Sequence, residues 1–222
     1  RNGHRAILKD ALDEALGTPY PKEHLIDAVE SKLFGIGAEA MTVGSHDFYL
    51  GYAIKNNKAI CLDSGHFHLT ESVGDKISSC LQFVDDVLLH ISRPIRWDSD
   101  HVVTLNDEVR LIASEIVRNN YLPRVKIGLD FFDGSINRVG AYVVGTRAAQ
   151  QAFMQAMLEP TKNLVKLEEE GKYFERLAYL ELLKTRAFGA VWDYYCLQNN
   201  VPADEAFITE IQQYENEVLL KR

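Results

Sequence analysis

Seven side chains have the types and the order of a divalent-metal site: Glu30, Asp63, His66, His90, Asp98, Asp100 and Asp130. Five carboxylates and two imidazoles supply oxygen and nitrogen donors for two ions with open positions. The mixture suits Mn²⁺, Mg²⁺ or Co²⁺ better than a thiolate-seeking ion. Asp63-Ser64-Gly65-His66 sets a carboxylate and an imidazole three apart. Asp98-Ser99-Asp100, expected in a loop, puts two carboxylates on one face of an extended segment, where they repel unless a cation lies between them. Lys32, two residues beyond Glu30, is placed either to hold a substrate oxygen or to form a salt bridge beside such a site. Taken singly, each residue has an ordinary reading, because an Asp after a strand often caps the next helix and a lone buried His is usually a hydrogen-bonded core residue. The pattern carries the argument.

That pattern is set by where the donors fall. Four branched-aliphatic runs of strand length, Leu25 to Val29, Ala59 to Leu62, Val87 to Leu89 and Val125 to Leu129, end at Glu30, Asp63, His90 and Asp130. The runs are largely apolar on consecutive positions without strict alternation, as in parallel strands covered on both faces. Helix-like stretches lie between them, at Ser45 to Lys55, Thr70 to Phe83 and Asn106 to Val117, so the chain reads as βαβ units. The spacings are 63 − 30 = 33, 90 − 63 = 27 and 130 − 90 = 40 residues, against roughly 31 per unit in an eightfold barrel. Parallel strands bring their C-terminal ends to one rim, where barrel active sites lie. The expected fold is therefore α/β, a TIM (β/α)₈ barrel of which this chain supplies four units, a half barrel over 1–158. Beyond Asp130 only helical segments are expected, with a break at Pro160, and 159–222 reads as a helical extension for subunit contacts.

Composition removes several alternatives. A net charge of -8 and a pI near 5.4 leave no broad basic face for a nucleic-acid backbone or an anionic membrane. No apolar run reaches the ~18 residues of a membrane span, and the opening residues lead into no signal core. Cys61, Cys80 and Cys196 are widely spaced and odd in number, which suits reduced thiols in a cytosol. The chain opens at Arg1 without an initiator Met, in residues that read as mid-helix, so a piece of a longer protein is expected. Other motifs are weaker. Ser45-His46-Asp47 has the letters of a hydrolase triad, but adjacent residues cannot form the relay, and Ser45 reads as an N-cap. Gly35-Ile36-Gly37 lacks the rest of a dinucleotide fingerprint and reads as a turn. Arg93 and Arg96 are candidates for gripping a phosphate or offsetting Asp98. Trp97 and His101 flank the two aspartates, either as pocket walls or, by default, as packing residues, His68 sits near the first imidazole, and Glu168-Glu169-Glu170 reads as a solvated helix end.

The stretches 26–39 (Ile26-Asp27-Ala28-Val29-Glu30-Ser31-Lys32 onward), Cys61-Leu62-Asp63-Ser64-Gly65-His66-Phe67-His68, 92–103 (Ser92-Arg93-Pro94-Ile95-Arg96-Trp97-Asp98-Ser99-Asp100-His101 onward) and Ile127-Gly128-Leu129-Asp130-Phe131-Phe132-Asp133 closely resemble L-rhamnose isomerases. The resemblance runs from about Arg5 to the C-terminus. It implies a cytoplasmic homotetramer that converts L-rhamnose to L-rhamnulose with Mn²⁺, with Mg²⁺, Co²⁺ or Zn²⁺ as substitutes. It places one ion among Glu30, Asp63, His90 and Asp130 and a second with His66, Asp98 and Asp100, Asp63 being able to bridge them. It also implies catalytic roles for Asp130 and Lys32 and substrate contacts from His66, His101 and Lys32. The chain resembles the C-terminal half of the family, so an N-terminal half or another chain would have to complete the barrel. The alternatives are an inactive metal-binding, oligomerising fragment, or a metal-dependent hydrolase or aldolase on the same barrel.

Overall fold

The structure, a computed structural model, describes residues 2–32, 43–68, 70–95 and 98–222, with side chains at all of these except 94, 95 and 98–100. Gly35, Ile36, Gly37, Arg96 and Trp97 lie outside the described residues.

Helix α1, Asn2–Ala15, leads to strand β1, Ala28–Glu30, then α2, His46–Asn56, β2, Ala59–Asp63, α3, Val73–Leu81, and β3, Val87–Ile91. A two-stranded ribbon follows, β4, Arg93–Ile95, and β5, Asp98–His101, before α4, Asp107–Arg118, and β6, Val125–Leu129. The rest of the described chain is helical: α5, Arg138–Met157, α6, Thr161–Glu169, α7, Tyr173–Lys184, α8, Phe188–Gln198, α9, Ala206–Glu217, and a 3-10 turn at Leu219–Lys221.

Strands β1, β2, β3 and β6 form one all-parallel sheet in that order. Each new strand joins the same side of the last. That single winding direction separates the sheet from doubly wound folds, whose strand order reverses at a switch point. The α/β reading with parallel strands therefore stands.

Boundaries moved where polar residues stay in register. Strand β1 begins at Ala28 rather than Leu25, which is exposed, and β3 continues through His90 to Ile91 instead of stopping at Leu89. The expected loop around Asp98 is a strand, β5, paired antiparallel to β4 with a register irregularity. Arg93 Nε donates to the Val102 carbonyl, just past β5, at 2.8 Å.

Pairing register sorts the two faces. Asp63 lies opposite His90, Glu30 opposite Cys61, and Gly128 opposite His90, so these residues share one face, with Cys61 and Asp63 on alternate positions of β2. The other face carries Ile60, Leu62, Leu89 and Ile91, all fully buried beneath the helices with Ile77, Ile112 and Ile116. Burial of each such side chain contributes roughly 1.5–3 kcal/mol before chain entropy is set against it. Side-chain caps start two of these helices: Ser45 Oγ accepts from Phe48 N, and Asn106 Oδ1 accepts from Val109 N at 3.0 Å. Ser45 is thus the N-cap the sequence predicts.

Candidate metal centre

One donor atom each from Glu30, Asp63, His90 and Asp130 lies within 4.8 Å of the others. Four neighbouring strands supply them, spaced along the chain as the βα period predicts. The register that pairs Asp63 with His90 and His90 with Gly128 sets these strand ends side by side. His90 Nδ1 stands 3.3 Å from Asp130 Oδ2, 3.5 Å from Glu30 Oε2 and 3.8 Å from Asp63 Oδ2. His66 joins from the turn after β2, with Nδ1 2.8 Å from Glu30 Oε1 and 4.0 Å from Asp63 Oδ2.

None of these short approaches has the alignment of a hydrogen bond at the imidazole nitrogen. His66 Nδ1 and His90 Nδ1 are both buried without a hydrogen-bond partner. Buried polar nitrogens are ordinarily satisfied. Two of them facing a knot of three carboxylates is the arrangement expected of donors aimed at a cation rather than at each other. The residues present therefore fit a divalent ion. They would hold it through Glu30, Asp63, His90 and Asp130, a hard oxygen-rich set with one imidazole.

The proton affinities show the same tension. Asp63, 4% exposed, has its carboxyl pushed up to about 6, first because burial disfavours its charge and then because Glu30 repels it; His66, the Gly65 N–H and His90 pull the other way. Burial is also the largest influence on Glu30, but contact with His66 and the charges of His66 and His90 outweigh it, and Glu30 stays below the usual carboxylate range. His66 is drawn upward: burial opposes its charge most, yet Glu30 and Asp63 together prevail. The Cys61 thiol, one alternation below Asp63 on the same face, is raised by burial and by Glu30, Asp63 and Asp130, which keeps it protonated.

Of the remaining predicted residues, Lys32 follows β1 with its side chain exposed, close enough for its charge to oppose protonation of His66. Asp98 and Asp100 lie on β5, their side chains outside the described residues. His101 ends β5, its Nδ1 3.6 Å from Asp133 Oδ2 in the turn after β6. His68 is exposed, with Nδ1 2.8 Å from Thr70 Oγ1.

Sequence reasoning missed two buried serines. Ser64 Oγ donates to the Ser92 carbonyl at 2.9 Å and accepts from the Ser92 N–H at 2.8 Å, while Ser92 Oγ donates to Asp63 Oδ1 at 3.2 Å. Nothing in the local pattern marks them. Their one legible signal was adjacency, Ser64 following Asp63 and Ser92 lying two residues beyond His90.

A parallel α/β sheet whose strand ends gather carboxylates and an imidazole around one point defines an α/β protein with a candidate divalent-metal centre. The comparisons narrow this. The family described as L-rhamnose isomerase (RhaA) matches residues 1–222. The chain is 54% identical over 222 residues to an L-rhamnose isomerase of Rhodopirellula baltica, covering all of this chain and 52% of the relative. It is 54% identical to that of Bacteroides thetaiotaomicron, covering 53% of it, and 55% identical over 218 residues to that of Salmonella newport, covering 98% of this chain and 52% of the relative. The chain belongs to the L-rhamnose isomerase family. It spans about half the length of the curated relatives it matches.

Proposed function

We propose that this chain carries the metal centre of an aldose–ketose isomerase that converts L-rhamnose to L-rhamnulose. The observation that carries the reading is the convergence of Glu30, Asp63, His90 and Asp130 within 4.8 Å from four neighbouring parallel strands, in a chain that belongs to this family. A second ion is assigned to His66, Asp98 and Asp100, with Asp63 between the two. Mn²⁺ is the ion proposed for both, with Mg²⁺, Co²⁺ or Zn²⁺ as substitutes. When bound, two divalent ions would polarise adjacent oxygens of an open-chain sugar, which lowers the cost of moving a hydride from C2 to C1.

The chain's own residues do the rest. Lys32 holds the oxygen at C1 through its ammonium. Asp130, whose side chain is 60% exposed, orients or deprotonates the water that relays the proton of the C2 hydroxyl to the product. His66 and His101 face the sugar, with Asp133 Oδ2 3.6 Å from His101 Nδ1. The sheet is read as half of a (β/α)₈ barrel over 1–158, with 159–222 as the extension that makes subunit contacts in a cytoplasmic homotetramer. An N-terminal half or another chain supplies the remaining strands. Single winding and the period of the βα units support that reading.

The test is conversion of L-rhamnose to L-rhamnulose with Mn²⁺, by the chain alone and by the chain joined to the part of a relative that it does not match. Asp98→Asn is assayed beside each. Loss of at least ~100-fold in kcat/KM on removing one ligand is expected of such a site. Undiminished turnover in Asp98→Asn removes the ligand assignment. Mn²⁺ binding without turnover by the chain alone identifies it as a metal-binding module that works only with the rest of the barrel.

A further inference from the structure

The turn that carries His66 is held from a neighbouring helix. Helix α3 starts at Val73, and Ser72 at its N-cap makes no side-chain bond to the helix it opens. Glu108, in the first turn of α4, takes that place: its Oε1 accepts from the Val73 N–H at 2.7 Å, and Ser72 Oγ lies 3.4 Å from both of its oxygens. A carboxylate suits the position, because the first N–H groups of a helix lack partners within it and the positive end of the helix dipole favours an anion. Val109, next to Glu108, is 2% exposed and seats this turn of α4 in the core. The two helices also meet closely at Gly74, where an added Cβ would come 2.8 Å from Leu111 Cγ.

The placement of α3 reaches His66 through Phe67. Lys76 of α3 stands over the Phe67 ring with Nζ 4.6 Å from its centroid, and His46 meets the ring edge-on at 5.2 Å. His66 precedes this ring in the chain, with its Nδ1 2.8 Å from Glu30 Oε1. Packing between the turn and α4 leaves the turn's height open: a cavity of about 130 Å³ lies between Ser64, Phe67 and Glu71 on one side and Glu108, Val109 and Ile112 on the other. The Glu108 carboxylate borders that gap and ties its two sides together.

We propose that Glu108 is a positioning residue for His66, holding the start of α3, and through it the Phe67 turn, at the height that sets the His66 ring beside Glu30. The proposal rests on the reading of His66 as a metal donor given above. Without the carboxylate, the Val73 N–H turns to water and the turn is free to settle into the cavity, drawing His66 away from Glu30 and Asp63.

Glu108→Gln keeps an oxygen for the Val73 and Ser72 donors, whereas Glu108→Ala removes both bonds. The experiment is a Mn²⁺ titration of the full chain, followed by loss of the free-ion electron paramagnetic resonance signal in the cold, with melting of each metal-free protein alongside to confirm folding. Wild type, both Glu108 variants, His66→Ala and the double variant of Glu108→Ala with His66→Ala are compared. His66→Ala identifies the dissociation constant that depends on the ring. Glu108→Ala is expected to raise that constant at least ~10-fold, with Glu108→Gln within about threefold of wild type. Once His66 is gone, Glu108→Ala is expected to add less than about twofold, because the two residues act through one ring. Wild-type affinity in Glu108→Ala overturns the proposal. So does a loss of the same size with and without His66, which a merely structural carboxylate would give, and so does a Glu108→Gln no better than Glu108→Ala. If His66→Ala binds Mn²⁺ as wild type does, or wild type binds none, the reading of His66 as a donor falls and this proposal falls with it. Weakened binding in His66→Ala beside unchanged binding in Glu108→Ala overturns the role of Glu108 alone.

Discussion

At Asp63, stability and metal binding pull in opposite directions. An ordinary aspartate in the unfolded chain titrates near 3.8, whereas burial raises the folded group to about 6. The metal-free fold therefore binds this proton more tightly than the unfolded chain does. Its stability declines as pH rises from about 4 through 6, by an amount on the order of 3 kcal/mol, and stays low above that. Glu30 has the opposite sign, lowered in the fold, so its contribution is present at neutral pH and lost only as pH falls below about 4.5. Metal binding needs Asp63 ionised, so the stabilisation conferred by Mn²⁺ should grow across the same window in which the metal-free fold weakens. Asp63→Asn keeps an oxygen for the Gly65 and Ser92 donors and removes the buried charge. Urea unfolding of the metal-free chain at pH 7.5 is expected to find the variant more stable by about 1–3 kcal/mol, with the difference gone near pH 4 and Mn²⁺ binding abolished. A variant less stable than wild type at pH 7.5 would contradict the account of Asp63 as a strained, metal-awaiting carboxylate.

Among the elements, those that hold the donors separate from those that merely support the sheet. Helix α5 touches the site through Gly145, where an added Cβ would come 2.5 Å from Cζ of Phe131, a buried ring directly after Asp130. Gly145→Ala is expected to cost about 1–3 kcal/mol by overpacking and to weaken Mn²⁺ binding by displacing Asp130. Asn106→Ala, at the cap of α4, should cost about 1 kcal/mol and lower the melting temperature by about 2–4 °C with Mn²⁺ binding unchanged. Melting curves and Mn²⁺ titrations on the two variants check both, and equal effects on metal binding would remove the distinction. The same contrast explains what was legible beforehand. Strand β6 falls at the predicted Val125 to Leu129 because Val125, Ile127 and Leu129 recur between Pro123 and Asp130. The convergence of Glu30, Asp63, His90 and Asp130 was legible because parallel strands send their C-terminal ends to one place, so linear spacing already encodes proximity. The ribbon of β4 and β5 was not, since Arg93-Pro94-Ile95 and Asp98-Ser99-Asp100-His101 are short, polar and carry a proline. Ser92 and Ser64 were illegible for another reason: their bonds join residues far apart in sequence, and a serine's type says nothing about which carboxylate it will meet.

For the whole molecule, the apolar surface is the unsolved half of the structure's energetics. Helix α7 has no buried residue, yet Tyr173, Phe174, Leu177 and Leu182 are more than half exposed along it. A second apolar groove runs beside β6, an edge of the parallel sheet, between Ile127, Leu129, Phe153, Met157 and Trp192. An open strand edge next to apolar surface invites pairing with other chains. The tetramer proposal assigns the α7 surface to copies of the same chain and the β6 edge to the strands that complete the barrel. The two can be told apart. Sedimentation velocity of the chain is expected to show species heavier than 25.2 kDa, and Phe174→Glu with Leu177→Glu should shift them toward the monomer while Mn²⁺ stoichiometry holds. Charges on a subunit contact oppose burial by several kcal/mol, whereas the β6 edge lies on a different element and is untouched by them. Association that persists in the double variant locates the contact at the sheet edge instead. A wild-type chain that stays monomeric at every concentration tested would leave the α7 surface without the role assigned to it.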